Sequence, residues 1–229
     1  MIELRDLKFA YGENCFAMQI GRLCVDDGQH VCWIGSSGSG KTTLLHLVAG
    51  IFAADSGCVK TCGVELSGMG DAARRDFRIA NIGLVFQDFA LRDYLSVLDN
   101  IMLPYRISRA LHKDASVPER ARVIAIAVGL GDMLARRPTE LSQGERQRVA
   151  VCRAIITRPK LLLADEPTAN LDPQNAARVL DALEGYATEQ RATLVVVSHD
   201  RDVVARLGEP TDVSTVCAQS QQTGADIHA

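Results

Sequence analysis

The order of apolar and polar positions predicts strands alternating with helices along most of the chain. Residues 2–9 alternate, with Ile2, Leu4, Leu7 and Phe9 on the apolar side, as in an edge strand. Short apolar runs and helical spacing predict further strands at 16–25, His30–Ile34, 82–86, 161–164 and 193–198, and helices at 42–49, 144–157 and 173–188. This rhythm predicts an α/β fold with a mostly parallel sheet covered on both faces.

Two segments depart from that rhythm. Residues 51–68 are rich in Gly, Val and Thr and predict a hairpin, which with the N-terminal strands gives an antiparallel β-subdomain. Residues 91–137 predict an inserted helical subdomain, broken at Pro104 and Pro118, with a packed helix at 123–130.

We expect one domain over residues 1–229. Its core comprises about 1–87 and 138–229, and its helical subdomain about 88–137. The weakly patterned residues 215–229 predict a polar tail.

Composition narrows the function classes. The 229 residues are 47% hydrophobic and 23% charged, which is typical of a soluble globular protein. A net charge of −3 and only 5% aromatic residues argue against a nucleic-acid partner. Apolar runs fall short of the roughly 18–20 residues that span a bilayer, and the charged N-terminus is unlike a signal peptide. We expect a cytoplasmic protein that reaches the membrane through a partner.

The seven cysteines are odd in number and scattered. They favour buried free thiols in a reducing compartment. A zinc site is the less favoured alternative, because Cys58 and Cys62 lack a second pair of ligands.

A phosphate-binding motif follows the strand His30–Ile34. Residues 35–43 read GSSGSGKTT and match GxxxxGK[ST] between a predicted strand and a predicted helix. Backbone amides and the helix N-terminus would surround phosphates, Lys41 would reach the β- and γ-phosphates, and Thr42 would coordinate Mg²⁺. The predicted nucleotide-binding residues here are Gly35, Ser36, Ser37, Gly38, Ser39, Gly40, Lys41, Thr42 and Thr43. A merely structural glycine loop is the alternative.

The strand at 161–164 ends in two adjacent carboxylates. Asp165 would lie near the metal, through a water molecule, and Glu166 could polarise an attacking water. By themselves they fit an acidic helix cap equally well. The phosphate loop favours the catalytic interpretation.

Residues 141–145, LSQGE, followed by RQRV, resemble the signature motif of ATP-binding cassette (ABC) ATPases. Other elements of the family are present in the expected order along the chain. Tyr11 and Gln87 (within VFQD) precede the signature, and Asp172 (within ANLD) and His199 (after the last strand) come after it. The resemblance covers about residues 1–200 and implies a P-loop NTPase core. The family pattern is usually LSGGQ, so Gln143 and Glu145 depart from it, whereas Ser142 and Gly144 keep it.

The resemblance implies a role for each matched residue. Tyr11 would stack on adenine, Gln87 would hold Mg²⁺ and the attacking water, and His199 would hold the γ-phosphate and the water. Ser142 and Gly144 would bind the nucleotide of a second subunit, and Asp172 would couple the two sites. Structural alternatives remain open: a buried tyrosine, a loop glutamine, a structural histidine, a Ser142–Glu145 cap and an Asp172 cap before Pro173.

The implied function is ATP hydrolysis in a head-to-tail dimer that drives an integral membrane permease from the cytoplasmic face of the inner or cell membrane. We expect a homodimer, with a heterodimer as the alternative. Residues 87–91 and 96–104 are similar to the lipoprotein-releasing and macrolide-exporter group, which implies export or extraction, and also to the cell-division ABC ATPase.

We expect Gln87 and residues 88–103 to line a groove for a helix of the permease. Alternatively, Leu95, Leu98, Ile101 and Leu103 pack the subdomain core.

Other classes fit less well. A chromosome-maintenance ATPase would need a long heptad insertion, which this sequence does not have. A ribosome-associated factor would usually carry two cassettes, and a P-loop kinase would not need the signature at 141–145.

Overall fold

Two five-stranded sheets organise the chain. The computed structural model describes residues 1–12, 16–208 and 210–219. The strands are β1 (Ile2–Ala10), β2 (Ala17–Val25), β3 (His30–Ile34), β4 (Ser56–Thr61), β5 (Val64–Glu65), β6 (Ile82–Val85), β7 (Leu161–Asp165), β8 (Thr193–Val197), β9 (Thr211–Asp212) and β10 (Cys217–Gln219). The helices are α1 (Lys41–Val48), α2 (Asp71–Asn81), α3 (Val97–Ile101), α4 (Leu103–Ile107), α5 (Val117–Ala127), α6 (Gln143–Ile155), α7 (Pro173–Gln190), α8 (Arg201–Leu207) and α9 (Val213–Val216).

The parallel sheet confirms the predicted α/β fold. Its order is β6-β7-β8-β3-β9, and every pair runs parallel. Each residue of β7 and β8 is buried, because helices and the second sheet cover both faces of these central strands. Parallel strands share a carboxyl edge, so the segments after β3, β7 and β8 meet there.

The second sheet is antiparallel, with the order β10-β2-β1-β4-β5. The predicted hairpin at 51–68 is confirmed by β4 and β5. The prediction that residues 2–9 form an edge strand is wrong, since β1 pairs with both β2 and β4. Alternation indicates one buried face but not the number of hydrogen-bonded neighbours.

A bulge explains why the apolar positions of β1 change parity. Ile2 and Leu4 are buried at even positions, and Leu7 and Phe9 at odd ones. Between them, Asp6 has φ 45°, and the pairing with β4 shifts register. The extra residue turns both halves of the strand toward the same core.

The segment at 91–137 is helical, as predicted, and Pro104 and Pro118 lie in the first turns of α4 and α5. The predicted packed helix at 123–130 is wrong in extent, because α5 ends at Ala127 and Val123 and Ile126 are 57% and 62% exposed. The hydrophobic core under this segment also includes residues of α6.

Two further features differ from the sequence-based expectations. Helix α2 was not predicted; it buries no residue completely, and its large apolar residues are Phe77 and Ile79 alone. The predicted polar tail is wrong for 215–219, which complete α9 and form β10; residues 220–229 lie outside the described part.

The predicted burial of the cysteines holds for some of them. Cys32, Cys152 and Cys217 are buried free thiols, Cys58 and Cys62 are half-buried, and Cys24 is exposed. Cys15 lies outside the described residues.

Across residues 1–12, 16–208 and 210–219, no helix combines the length and apolar character that crossing a membrane requires.

Candidate active site

A pocket of about 700 Å³ opens at the carboxyl edge of the parallel sheet. It brings together most of the predicted nucleotide, metal and catalytic residues. Its lining is Tyr11, Phe16, Gly35, Ser36, Ser37, Gly38, Gly40, Lys41, Thr42, Thr43, Gln87, Asp165, Glu166 and His199. Phe16 was not predicted, since a lone aromatic residue before a strand carries no motif.

The loop between β3 and α1 folds around the Lys41 side chain. The Lys41 ammonium donates to the carbonyl oxygens of Gly35 and Ser36 at 2.8 and 2.9 Å. Gly38 and Gly40 have φ 78° and 92°, a left-handed backbone that glycine adopts without strain. The loop therefore encircles its cation and leads into the first turn of α1, whose amides have no intrahelical acceptor.

Ser39 differs from its neighbours in this loop. Its side chain is only 1% exposed and is not part of the pocket wall. Its backbone amide donates to the Ser36 carbonyl at 3.1 Å, which tightens the turn. The structure therefore does not place the Ser39 side chain with the predicted nucleotide-binding residues of the pocket.

Thr42 and Asp165 bring together two oxygen groups from different elements. The Thr42 hydroxyl donates to Asp165 Oδ2 at 2.8 Å. Asp165 is 5% exposed, and this burial raises the pKa of its carboxyl, since an ionised carboxylate loses hydration there. Hydroxyl and carboxylate oxygens, with the amide of Gln87 in the same pocket, are a donor set that suits Mg²⁺.

Glu166 and His199 form a second pair. His199 Nδ1 lies 2.7 Å from Glu166 Oε1. Glu166 has φ 46°, a strained conformation for a residue with a side chain, and its amide donates to the Val197 carbonyl at 2.9 Å. The end of β8 therefore holds the Glu166 backbone in place while its carboxylate faces the pocket.

Tyr11 lies on the rim, within a cluster of aromatic rings. Its hydroxyl is 2.9 Å from Thr43 Oγ1, and its ring is 5.0 Å from that of Phe9 and 5.5 Å from that of Phe52. The side chain is 52% exposed, so the alternative of a buried tyrosine is wrong. Its ring remains available to a planar ligand.

Ser142 and Gly144 lie outside this pocket, at the N-terminus of α6. Glu145 accepts from the Ser142 amide at 2.7 Å, and Ser142 Oγ accepts from the Glu145 amide at 3.3 Å. This confirms the capping alternative. The hydrogen bond from Ser142 lowers the pKa of Glu145, so its carboxylate is ionised at neutral pH.

Asp172 is also outside the pocket, where it caps α7. Its Oδ1 accepts from the Asn175 amide at 2.9 Å, and its Oδ2 from the Asn175 side chain at 2.6 Å. Asn175 also packs against Gly144, where an added Cβ would lie 2.7 Å from Asn175 Cγ. Asn175 therefore joins the Asp172 turn to the start of α6, a contact that no sequence motif predicts.

A separate groove of about 320 Å³ lies beside the pocket, between α2, β6, α4 and α6. Leu103, Pro104 and Ile107 supply apolar surface on one side, and Ile79 on the other. Of the residues predicted to line a groove, Ala90, Arg92 and Leu103 line this one. Gln87 lines the nucleotide pocket instead, and Leu98 and Ile101 belong to the subdomain core.

Comparisons with known proteins agree with this geometry. Residues 19–169 match the family model described as ABC transporter. The chain is 38% identical to the lipoprotein-releasing system ATP-binding protein LolD of Geobacter metallireducens over 91% of this chain and 93% of that protein. It is 43% identical to the LolD protein of Hydrogenovibrio crunogenus over 78% and 77%.

Solved structures give the same result. The chain superposes with a TM-score of 0.82 and 29% identity on the dimeric post-hydrolysis state of the ATP-binding cassette MJ0796 bound to ADP and Pi, covering 98% of this chain and 100% of that one. The chain therefore belongs to the ABC transporter family, as an ATP-binding subunit that hydrolyses ATP.

Proposed function

We propose that this chain binds Mg-ATP in the pocket described above and hydrolyses it in a head-to-tail homodimer at the cytoplasmic face of the membrane. Hydrolysis would drive an integral membrane permease that extracts or exports lipoproteins. The observation that carries the proposal is the convergence of Lys41, the Thr42–Asp165 pair and the Glu166–His199 pair in one pocket.

Each side chain has a role that its contacts support. Lys41 and the amides of its loop bind the phosphates, and the exposed Tyr11 ring stacks on the adenine. Glu166 orients and polarises the attacking water as general base. His199, hydrogen-bonded to Glu166, holds the γ-phosphate and keeps the carboxylate in position.

Thr42, Asp165 and Gln87 would hold Mg²⁺, with Asp165 acting through a water molecule. The ion would neutralise charge on the phosphate oxygens when bound. Asp165 keeps its carboxylate near Lys41 and Thr42, and Gln87 positions water without adding charge. The buried carboxylate in a pocket of oxygen donors supports this assignment.

The position of the α6 N-terminus relative to the pocket supports the proposed dimer. Ser142 and Gly144 lie on α6, outside the lining of their own chain's pocket. A second copy turned head to tail would place its α6 N-terminus over the nucleotide, and the related cassette is described as dimeric. Asp172 would then lie at the boundary between the two copies and couple the sites.

The groove suits a helix of a membrane partner. Its apolar residues are bordered by Arg75, Arg78 and Arg92, with Asp76 as the acid among them. Ile107 is 69% exposed there. We expect an amphipathic cytoplasmic helix with acidic residues beside its apolar face.

The relatives named for lipoprotein release favour that branch over the cell-division alternative. The test is an affinity purification of tagged Glu166→Gln with Mg-ATP from detergent-solubilised native membranes, followed by mass spectrometry. We expect to recover one polytopic protein with a large extracytoplasmic domain. When the bait also carries Ile107→Glu, we expect the recovered amount of that protein to fall at least about tenfold, because a charge buried in the groove opposes docking.

Reconstitution of the recovered pair into proteoliposomes then tests lipoprotein release upon ATP addition. Recovery of division-machinery proteins would support the alternative. Absence of any membrane protein would contradict the permease assignment while leaving the ATPase activity in place.

A further inference from the structure

The loop that carries Gln87 is held in an unfavourable conformation. We define the Gln87 loop as residues 86–90, which follow β6 directly. Phe89 and Ala90 have φ 61° and 47°, so two consecutive residues with side chains adopt the left-handed region. Such a conformation persists only where surrounding contacts determine it.

The contact that determines it comes from α6. Arg153 Nη1 donates to the Ala90 carbonyl and Arg153 Nη2 to the Phe89 carbonyl, both at 2.6 Å. One planar guanidinium thus binds the oxygens of both left-handed residues, a geometry that a lysine ammonium does not reproduce. The loop's own turn contacts are the amides of Phe89 and Ala90, which donate to Phe86 and Asp88 at 3.1 and 2.7 Å.

The Arg153 guanidinium is largely buried, which is costly for a charged group and indicates that its contacts with the loop are specific. Loss of hydration lowers the pKa of Arg153 to about 10, with Arg92 acting in the same direction and Asp88 against it. The group is still charged at neutral pH. A charged group that has lost hydration requires hydrogen-bond acceptors in the protein, and here these are two backbone carbonyls of the Gln87 loop.

The position of Arg153 joins three parts of the molecule. It lies on the helix whose first residues follow Ser142, it binds the loop that places Gln87 in the pocket, and it lines the groove together with Ala90. A displacement of the loop from the groove side therefore changes the position of Gln87 and the contacts of α6 together.

We infer that Arg153 is a positioning residue that clamps the Gln87 loop and thereby links the nucleotide pocket to α6 and to the groove. This inference rests on the proposed role of Gln87 in hydrolysis. Arg153 itself does not line the pocket and touches no reacting group.

The test compares Arg153→Met with the matched variant Arg120→Met in the full chain. Arg120 is also partly buried and also donates to carbonyl and hydroxyl oxygens, those of Ile156 and Tyr105, but it does not contact the loop. We expect Arg153→Met to lower kcat for Mg-ATP at least about tenfold while KM and nucleotide Kd change less than about threefold. Arg120→Met is expected to keep kcat within about twofold.

Hydrogen exchange gives a readout independent of activity. In Arg153→Met, amides of residues 86–91 are expected to exchange at least about fivefold faster, and those of α5 to be unchanged. In Arg120→Met the pattern is reversed. Adding Ala90→Gly to Arg153→Met removes a left-handed alanine and is expected to recover at least about threefold of the lost kcat. If Arg153→Met folds poorly, Arg153→Lys gives the same comparison with charge and length retained.

The outcomes distinguish failure of the Arg153 clamp from failure of the role assigned to Gln87. Unchanged kcat and exchange in Arg153→Met would overturn the clamp, as would equal losses in Arg120→Met or no recovery by Ala90→Gly. If Gln87→Ala keeps full kcat, the assigned role of Gln87 is wrong. Faster exchange in Arg153→Met would then still show the clamp.

Discussion

At the scale of single residues, the buried carboxyl of Asp165 lowers the stability of the fold at neutral pH. Its carboxylate is buried beside Thr42 and close to Glu166, and both burial and the neighbouring carboxylate raise its pKa. Protons therefore bind this group more readily in the folded state than in the unfolded chain. The stability associated with the raised pKa is present at low pH and is lost as pH rises through the folded-state value.

Asp165→Asn is accordingly expected to melt about 2–4 °C higher than the native chain at pH 7.5 without nucleotide, a shift that corresponds to about 1 kcal/mol. The difference should shrink as pH falls, because the native carboxyl becomes neutral too. Thermal melts from about pH 4, near the ordinary value of 3.8 for this carboxyl, to pH 8 measure it, with the exposed Asp93→Asn as control. With Mg-ATP the order should reverse; a lower melting temperature for Asp165→Asn without nucleotide would contradict the argument.

Residue-level motifs were the part of the site that could be predicted from sequence. The loop at 35–43 apart from Ser39, with Asp165, Glu166, Gln87 and His199, reaches one pocket because the loops after parallel strands share an edge. Arg153 and Asn175 could not be predicted, since each contacts residues that are distant in sequence: Arg153 the carbonyls of Phe89 and Ala90, and Asn175 the backbone at Gly144.

At the scale of elements, α6 begins with a charge that the family pattern does not have. Glu145 closes the cap with Ser142, and its carboxylate lies at the helix end that would face the partner's nucleotide. An anion stabilises a helix N-terminus by about 0.3–1 kcal/mol, but here it would also repel a phosphate.

Glu145→Gln keeps a side-chain acceptor for the Ser142 amide and removes the charge. We expect a melting temperature lower by about 1–4 °C and a KM for Mg-ATP lower by about two- to fivefold, since repulsion across the dimer is removed. Glu140→Gln is the matched control, because Glu140 accepts from the Arg137 amide at 2.7 Å in the turn just before. A higher KM in Glu145→Gln would refute the repulsion.

Element prediction failed where few large apolar residues marked an element or where pairing partners were distant. Helix α2 buries no residue completely and was missed, although it forms one side of the groove. The centre of the antiparallel sheet was taken for its edge because β4 and β2 join β1 from opposite sides. Strand β10 pairs with β2 across nearly the whole chain length, which no local pattern indicates.

At the scale of the whole molecule, the proposed mechanism requires that two chains associate when ATP is bound. Glu166→Gln is expected to lower kcat by about 10²–10⁴-fold, the usual contribution of a general base, and to retain ATP. Light scattering should then give twice the mass of the chain with Mg-ATP and the mass of one chain with Mg-ADP. A single-chain mass under both conditions would contradict the homodimer.

The absence of Ser142 and Gly144 from their own chain's pocket has a genetic consequence. In the proposed pairing, every chain contributes the Lys41 loop to one ATP and the α6 N-terminus to the other. A cell with equal amounts of normal and altered chains would assemble only about a quarter of its pairs from two normal copies. An altered chain that still folds would therefore draw normal chains into pairs with one intact and one damaged site, whereas a chain that cannot fold would leave the normal pairs unaffected.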